Sequence, residues 1–227
     1  MKNKILIVAA HPDDEVLGAG GTILKHAQNG DEVNILILGD GESSREAGAD
    51  IAKREKQCQE GAEKLGAKNV YLEKFPDNAF DSVSLLKITK KVETIINQLK
   101  PDTIYTHHAH DLNIDHRLTF QAVLTACRPQ PGFFVKKILA FEILSSTEWQ
   151  VKDGGDIFCP NEYNNIEDFI EKKIEASQVY KDELRDYPHP RSIEGVKILA
   201  QYRGLEAGLN FAEAFRIVRL IKDDKNL

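Results

Sequence analysis

A Rossmann-like α/β fold, a largely parallel sheet with helices on both faces in one domain spanning residues 1–227, is predicted by three features of the chain. Short apolar runs, such as Ile5 to Ala10 and Ile35 to Leu38 with Val33 before it, have the length and composition of strands buried on both faces. These runs alternate with longer segments whose apolar residues recur at helical spacing. Polar, histidine-bearing or glycine-bearing loops follow several of the runs, at the carboxyl edge where open α/β sheets bind ligands.

The elements follow in order. After the first strand a helix is expected from Glu15 to Gln28, ended by Asn29-Gly30. Glu32 to Leu38 reads as the second strand, followed by the loop Gly39 to Ser44. Ala47 to Leu65 reads as helix closed by Gly66, and Val70 to Leu72 as a short strand with an irregular loop, Phe75 to Asp81, behind it. Between Ser84 and Leu99, apolar residues at Leu85, Ile88, Val92, Ile95, Ile96 and Leu99 mark a helix with one buried face, stopped by Pro101. Thr103 to Thr106 is the next strand, and Leu118 to Ala126 the next helix. Lys136 to Ile143 is expected to be a strand, Ser145 to Asn165 loop-rich, and Ile166 to Leu184 and Ile193 to Ala207 helical. Phe211 to Ile221 fits either a final strand or a helix. No repeat or linker divides the chain.

Composition narrows the function. A net charge of −6 argues against nucleic-acid binding, which draws on clustered Lys and Arg, while leaving room for a small anionic substrate. The three cysteines, Cys58, Cys127 and Cys159, form no CxxC pair, so a thiolate metal site or disulfide framework is not suggested. The leading apolar run stops at His11, too early for an export signal, and no apolar stretch approaches the ~18 residues of a membrane span. A cytoplasmic protein is expected.

Two loops carry the chemistry. The first strand ends in His11-Pro12-Asp13-Asp14-Glu15, and three adjacent acids in a cleft repel one another unless a cation joins them. The other loop, His107 to His116, holds four of the seven histidines together with Asp111 and Asp115. Both follow apolar strands, so both belong on one sheet edge. His11, Asp14 and one histidine of the second loop would give two imidazoles and a carboxylate, a ligand set of catalytic zinc centres. His116 is the best third ligand, because it opens a helix, with Asp115 as N-cap, and the helix dipole there favours the neutral ring that metal binding requires.

Ala10-His11-Pro12-Asp13-Asp14-Glu15, then Gly18-x-Gly20-Gly21 and later Asp115-His116, resembles the PIG-L/LmbE-type zinc-dependent N-acetylglucosaminyl deacetylase family. The likeness runs in outline to Arg203-Gly204 and Ala212 to Phe215, with AHPDDE its most specific part. It implies that His11, Asp14 and His116 bind Zn2+ and that Asp13 is the general base. It also implies a small amino-sugar substrate and a homo-oligomer. Amide hydrolysis needs a metal-acidified water and a nearby proton acceptor, and Asp13 adjoins a ligand without needing to be one. The family often has His-x-Asp-His before its second histidine ligand, where this chain has Asn113-Ile114-Asp115-His116. Asn113 can donate to a developing oxyanion but is no acid, so His110 is the favoured proton source, with His108 or His189 behind it. Asp115 is expected to orient a histidine. By the same resemblance Arg54 lies near the acetyl or sugar pocket. Asp77 and Asn78 are candidates for sugar hydroxyls, and His189 with Arg191 for the substrate side, Arg191 holding a phosphate or pyrophosphate. Substrate choice is expected to lie in loops around Asn78, Ser146 to Asn165 and Arg191.

Other chemistries fit less well. Gly18-Ala19-Gly20-Gly21 lacks the glycine a dinucleotide fingerprint needs at position 23, where Ile23 stands. No G-x-S-x-G elbow occurs. The same ligand set suits Fe2+, and a metal-dependent binding protein without turnover is a third possibility.

Overall fold

The computed structural model describes residues 2–45, 50–152 and 157–222. A seven-stranded sheet runs in the order β3-β2-β1-β4-β5-β7-β6. Its strands are β1 (Lys4–Ala9), β2 (Glu32–Gly39), β3 (Asn69–Phe75), β4 (Thr103–His107), β5 (Lys137–Phe141), β6 (Glu162–Asn165) and β7 (Ala212–Leu220). The first five pair in parallel, and β7 closes the sheet antiparallel to both β5 and β6. The helices are α1 (Asp14–Gln28), α2 (Ile51–Lys64), α3 (Leu85–Leu99), α4 (Ile114–Ala126), α5 (Ile170–Ser177) and α6 (Ile193–Ala207).

The period of two along β1 divides the core. Ile5, Ile7 and Ala9 pack with α1, α2, α5 and α6 on one face, and Leu6, Val8 and Ala10 pack with α3 and α4 on the other. Both faces of β1 are therefore buried, which is why it reads as unbroken apolar sequence. The glycines of α1 serve this packing. A Cβ on Gly18 would lie 2.5 Å from the Phe141 ring of β5 and one on Gly21 2.7 Å from Ile166, just past β6, so the helix approaches both only because these positions are bare. Glu213 of β7 accepts the Gly21 and Thr22 amides at 2.8 and 2.7 Å, and Lys173 joins it at 2.6 Å, a buried ion pair seated against the helix.

Several expected boundaries move. α2 starts at Ile51 with Asp50 accepting the Lys53 amide at 2.9 Å, and the expected helical residues 47–49 lie outside the described residues. The helix expected over Ile166 to Leu184 is only α5, flanked by single 3-10 turns at Glu167–Phe169 and Gln178–Tyr180. Phe211 to Ile221 resolves as strand, and the stretch expected to be loop contains β6 near its end. Within that stretch residues 153–156 lie outside the described residues. α4 begins four residues earlier than expected, and its N-cap is Asn113 rather than Asp115: Asn113 Oδ1 accepts the Asp115 amide at 2.8 Å. Asp115 sits one residue inside the helix with its side chain wholly buried.

Candidate active site

β1 lies between β2 and β4, and the chain leaves the carboxyl ends of β1 and β4 into the two histidine-bearing loops. This is the topological switch point, where diverging loops leave room for a ligand. The turn after β1 is tight. Asp13 has φ 125°, a region a residue with a Cβ adopts only when its surroundings enforce it. Three contacts enforce it here. The Asp13 amide donates to Glu15 Oε2 at 3.0 Å, Tyr180 holds Glu15 Oε1 at 2.6 Å, and Arg191 Nη1 donates to Asp13 Oδ2 at 3.0 Å.

His11, Asp14 and His116 converge, with one donor atom from each lying within 4.8 Å of the others. Asp14 Oδ2 is 3.4 Å from His11 Nδ1 and 3.4 Å from His116 Nε2. It also accepts the His11 amide at 2.8 Å. Asp14 and His116 are buried, yet Asp14 Oδ1 and His116 Nε2 have no aligned hydrogen-bond partner. Such orphaned polar atoms cost several kcal/mol unless something else satisfies them. The electrostatics point to positive charge. Burial pushes the His11 and His116 pKa values down, but the surrounding carboxylates, Asp115 and Asp14 for His11 and Asp14 and Asp111 for His116, overcome it and raise both. Burial likewise opposes ionisation of Asp14, and the facing imidazoles hold its carboxyl well below the usual range. A divalent cation fits this donor set without any proton on the rings.

Behind the three lie residues that aim them. Asp115 Oδ2 lies 2.9 Å from His11 Nε2, while its Oδ1 accepts the Phe80 amide at 2.9 Å. Asp77 Oδ1 is 3.3 Å from the same His11 nitrogen, and Asp77, His11 and Asp115 form a second convergent group. Asp111 lies 3.0 Å from His116 Nδ1. His107 stacks on His116 with ring centroids 3.9 Å apart. Its Nε2 accepts the Ala10 amide at 2.9 Å, so that nitrogen carries a lone pair and the ring is neutral, in keeping with burial driving its pKa well down. Sequence reasoning assigned no role to Asp111 or His107. Their position on the histidine-rich loop is the only signal, since stacking and through-space pairing leave no pattern in the chain.

The other expected residues make contacts of their own. Arg191 is bonded to Asp13 through Nη1 at 3.0 Å and to the Leu144 carbonyl through Nε at 3.3 Å. Arg54 is buried, with Nε and Nη2 on Glu42 at 2.8 and 2.6 Å and Nη2 also on Glu183. It ties α2 to the loop after β2 and to the segment after α5. Asn113 spends its oxygen on the helix cap and its amide on Asn78 Oδ1 at 3.0 Å, so the oxyanion role is not what its hydrogen bonds serve. Asn78 has φ 51° and links the two loops. Asp77 accepts the Ser44 hydroxyl. His110 is exposed and edge-on to His108 at 5.7 Å. His189 accepts the Arg191 amide at 3.0 Å and meets Trp149 edge-on at 5.7 Å. Burial pushes the Asp13 carboxyl up to about 7, with Arg191 pulling against it.

An open, mostly parallel α/β sheet carrying a two-histidine, one-carboxylate cradle at its switch point, with a further carboxylate held beside it, defines the class of protein. Residues 6–127 match the family model described as PIG-L, GlcNAc-PI de-N-acetylase, and the chain belongs to that family. It is 27% identical over 192 residues to a probable N-acetyl-alpha-D-glucosaminyl L-malate deacetylase 2 of Bacillus cereus, covering 81% of this chain and 84% of that protein. It is also 27% identical over 230 residues to the diacetylchitobiose deacetylase of Thermococcus kodakarensis, covering 95% and 83%. Among solved structures, the N,N'-diacetylchitobiose deacetylase of Pyrococcus horikoshii superposes with a TM-score of 0.77 at 24% identity, covering 95% of this chain and 84% of that one. The 4-carboxy-2-hydroxymuconate hydratase of Pseudomonas putida does so with 0.75 at 23% over the full length of both, so the shared fold alone does not dictate the reaction. Family membership places the chain among the deacetylases, which are amidohydrolases. No helix of the described residues is long and apolar enough to cross a membrane.

Proposed function

We propose that the protein hydrolyses the N-acetyl group from an N-acetylated amino sugar or its conjugate, with a divalent ion, zinc foremost, held by His11, Asp14 and His116. The observation that carries this reading is the buried Asp14–His116 pair with orphaned polar atoms, facing His11 and flanked by Asp13. Zinc bound there would supply a Lewis acid that polarises the acetyl carbonyl and acidifies water.

The chain's own residues do the rest. Asp13 accepts the proton of the attacking water and returns it to the departing amine, restoring the carboxylate for the next turnover. Arg191 fixes one Asp13 oxygen, and Glu15 fixes its backbone, so the carboxylate is aimed before substrate arrives. His11 is held by Asp115, and His116 is backed by the stacked His107. A sugar fits the surroundings. Trp149 is 53% exposed beside His189 and offers an apolar face, and polar side chains of the Asp77-Asn78 loop stand next to His11. Asn113, named for the oxyanion, serves as a helix cap, and His110, named as the proton source, is exposed.

Acetate release from a panel of N-acetylhexosamines, chitooligosaccharides and their conjugates tests the reading. The zinc-loaded protein is expected to release acetate from at least one of them, and Asp13→Ala, with its zinc retained, to lose at least about 100-fold in rate. No acetate from any of them would contradict it. The same donor set accepts Fe2+, so metal analysis of protein purified without oxygen identifies the native ion.

A further inference from the structure

We propose that Ser146 and Thr147, on the turn after β5, are positioning residues for the metal centre, acting through Asp111 on His116. The inference rests on the reading of His11, Asp14 and His116 as a cation site. Asp111 lies on the loop after β4, wholly buried, and collects four contacts on two oxygens. Oδ1 accepts the Asn113 amide at 2.9 Å and the Ser146 hydroxyl, and stands 3.0 Å from His116 Nδ1; Oδ2 accepts the Thr147 hydroxyl.

The direction of the Thr147 bond is fixed. Its oxygen accepts the Ile143 amide at 2.8 Å, so its single proton is free to go to Asp111. The turn itself is cross-linked, because Glu148 accepts the amides of Ser145 and Ser146 at 2.5 and 3.2 Å. Two residues before Ser146, the Leu144 carbonyl accepts Arg191 Nε at 3.3 Å, and Arg191 in turn holds Asp13. One turn thus serves as the reference for both a metal-ligating ring and the general base.

A carboxylate behind a ligating imidazole fixes its tautomer, so that the far nitrogen presents its lone pair, and raises its basicity; loss of such a partner costs about 10–100-fold in metal affinity. The hydroxyls keep Asp111 from rotating off the ring. A purely structural role for them predicts a different outcome, lower thermal stability with unchanged metal affinity.

The test compares the full chain with Ser146→Ala/Thr147→Ala and with Thr147→Ser. Zinc affinity is measured by competition with a chromogenic chelator, the Co2+-substituted proteins are compared by visible absorption, and the metal-free proteins by thermal unfolding. The double variant is expected to bind zinc about 10–100-fold more weakly with an altered cobalt spectrum, and Thr147→Ser to stay near the wild type. Unchanged affinity and spectrum in the double variant would overturn the proposal. Should the double variant fail to fold, Ser146→Ala alone must weaken zinc binding several-fold, and unchanged affinity there would overturn it equally. A wild-type chain that binds no zinc removes the site and the proposal together. A wild-type chain that binds zinc but releases no acetate overturns only the hydrolase reading.

Discussion

Arg191 shows how far a residue's identity carries and where it stops. Its position after His189-Pro190 and its charge suggested an anionic substrate group, and the partner the structure gives it is the Asp13 carboxylate at 3.0 Å. The guanidinium aims the carboxylate and pulls against the burial that raises its pKa to about 7. Arg191→Ala is therefore expected to lower kcat about 10–100-fold with KM little changed, and Arg191→Lys to recover part of the loss; a KM effect alone would assign Arg191 to substrate binding instead. The convergence of His11, Asp14 and His116 was legible because an apolar strand breaking into His11 to Glu15, and another breaking into His107 to His116, is a local pattern. Asp111 and Asn113 were not. Asp111 acts on His116 only because Ser146 and Thr147, some 35 residues away in sequence, close on it. Asn113 looked like an oxyanion donor in place of a histidine, and the helix boundary turned it into a cap.

Elements were legible in proportion to their burial. β1, β2, β4 and α3 carry enough apolar sequence to declare themselves, and their expected ends fall within a few residues of the observed ones. β6, Glu162-Tyr163-Asn164-Asn165, is short, polar and at the sheet edge, so nothing in its composition marks a strand; pairing with β7 makes it one. The glycines of α1 are a packing device. Gly18→Ala would push a methyl to within 2.5 Å of Phe141, and overpacking of that kind is expected to cost about 1–3 kcal/mol in denaturant unfolding. Wild-type stability in Gly18→Ala would show that α1 has slack against β5. At the opposite end of α1, Asp31 accepts His26 Nδ1 at 2.7 Å and the Asn3 amide at 3.0 Å. Desolvation opposes these contacts, but they prevail and hold the Asp31 carboxyl below its ordinary value. A depressed folded-state value means stabilisation that is full above the unfolded pKa and lost as pH falls through the folded one. Asp31→Ala should accordingly cost about 1 kcal/mol at pH 7 and progressively less below about pH 4, as seen in urea unfolding at both pH values. A cost independent of pH would contradict the ionised hydrogen bond.

Across the whole molecule, the sheet order 3-2-1-4-5 sets two loops 100 residues apart on one edge, and the antiparallel β7 and β6 extend the sheet beyond β5. Crossovers keep α1, α2, α5 and α6 on one face and α3 and α4 on the other. That arrangement was readable from β–α alternation, whereas the segment from Ser145 to Arg191 was not, since its short helices and turns are held by contacts to the site rather than by periodicity. The site is the joint product of both halves. The first supplies His11, Asp14 and His116, and the second supplies the Leu144–Thr147 turn, Tyr180 and Arg191 that hold them and Asp13 in place. The measurement that bears most directly on this is zinc stoichiometry by elemental analysis, after chelator stripping, reloading and desalting, for the wild type and His116→Ala. One zinc per wild-type chain and essentially none in a folded His116→Ala chain is the expected result. Equal zinc in the two, or none in either, would contradict a metal centre shared by His11, Asp14 and His116.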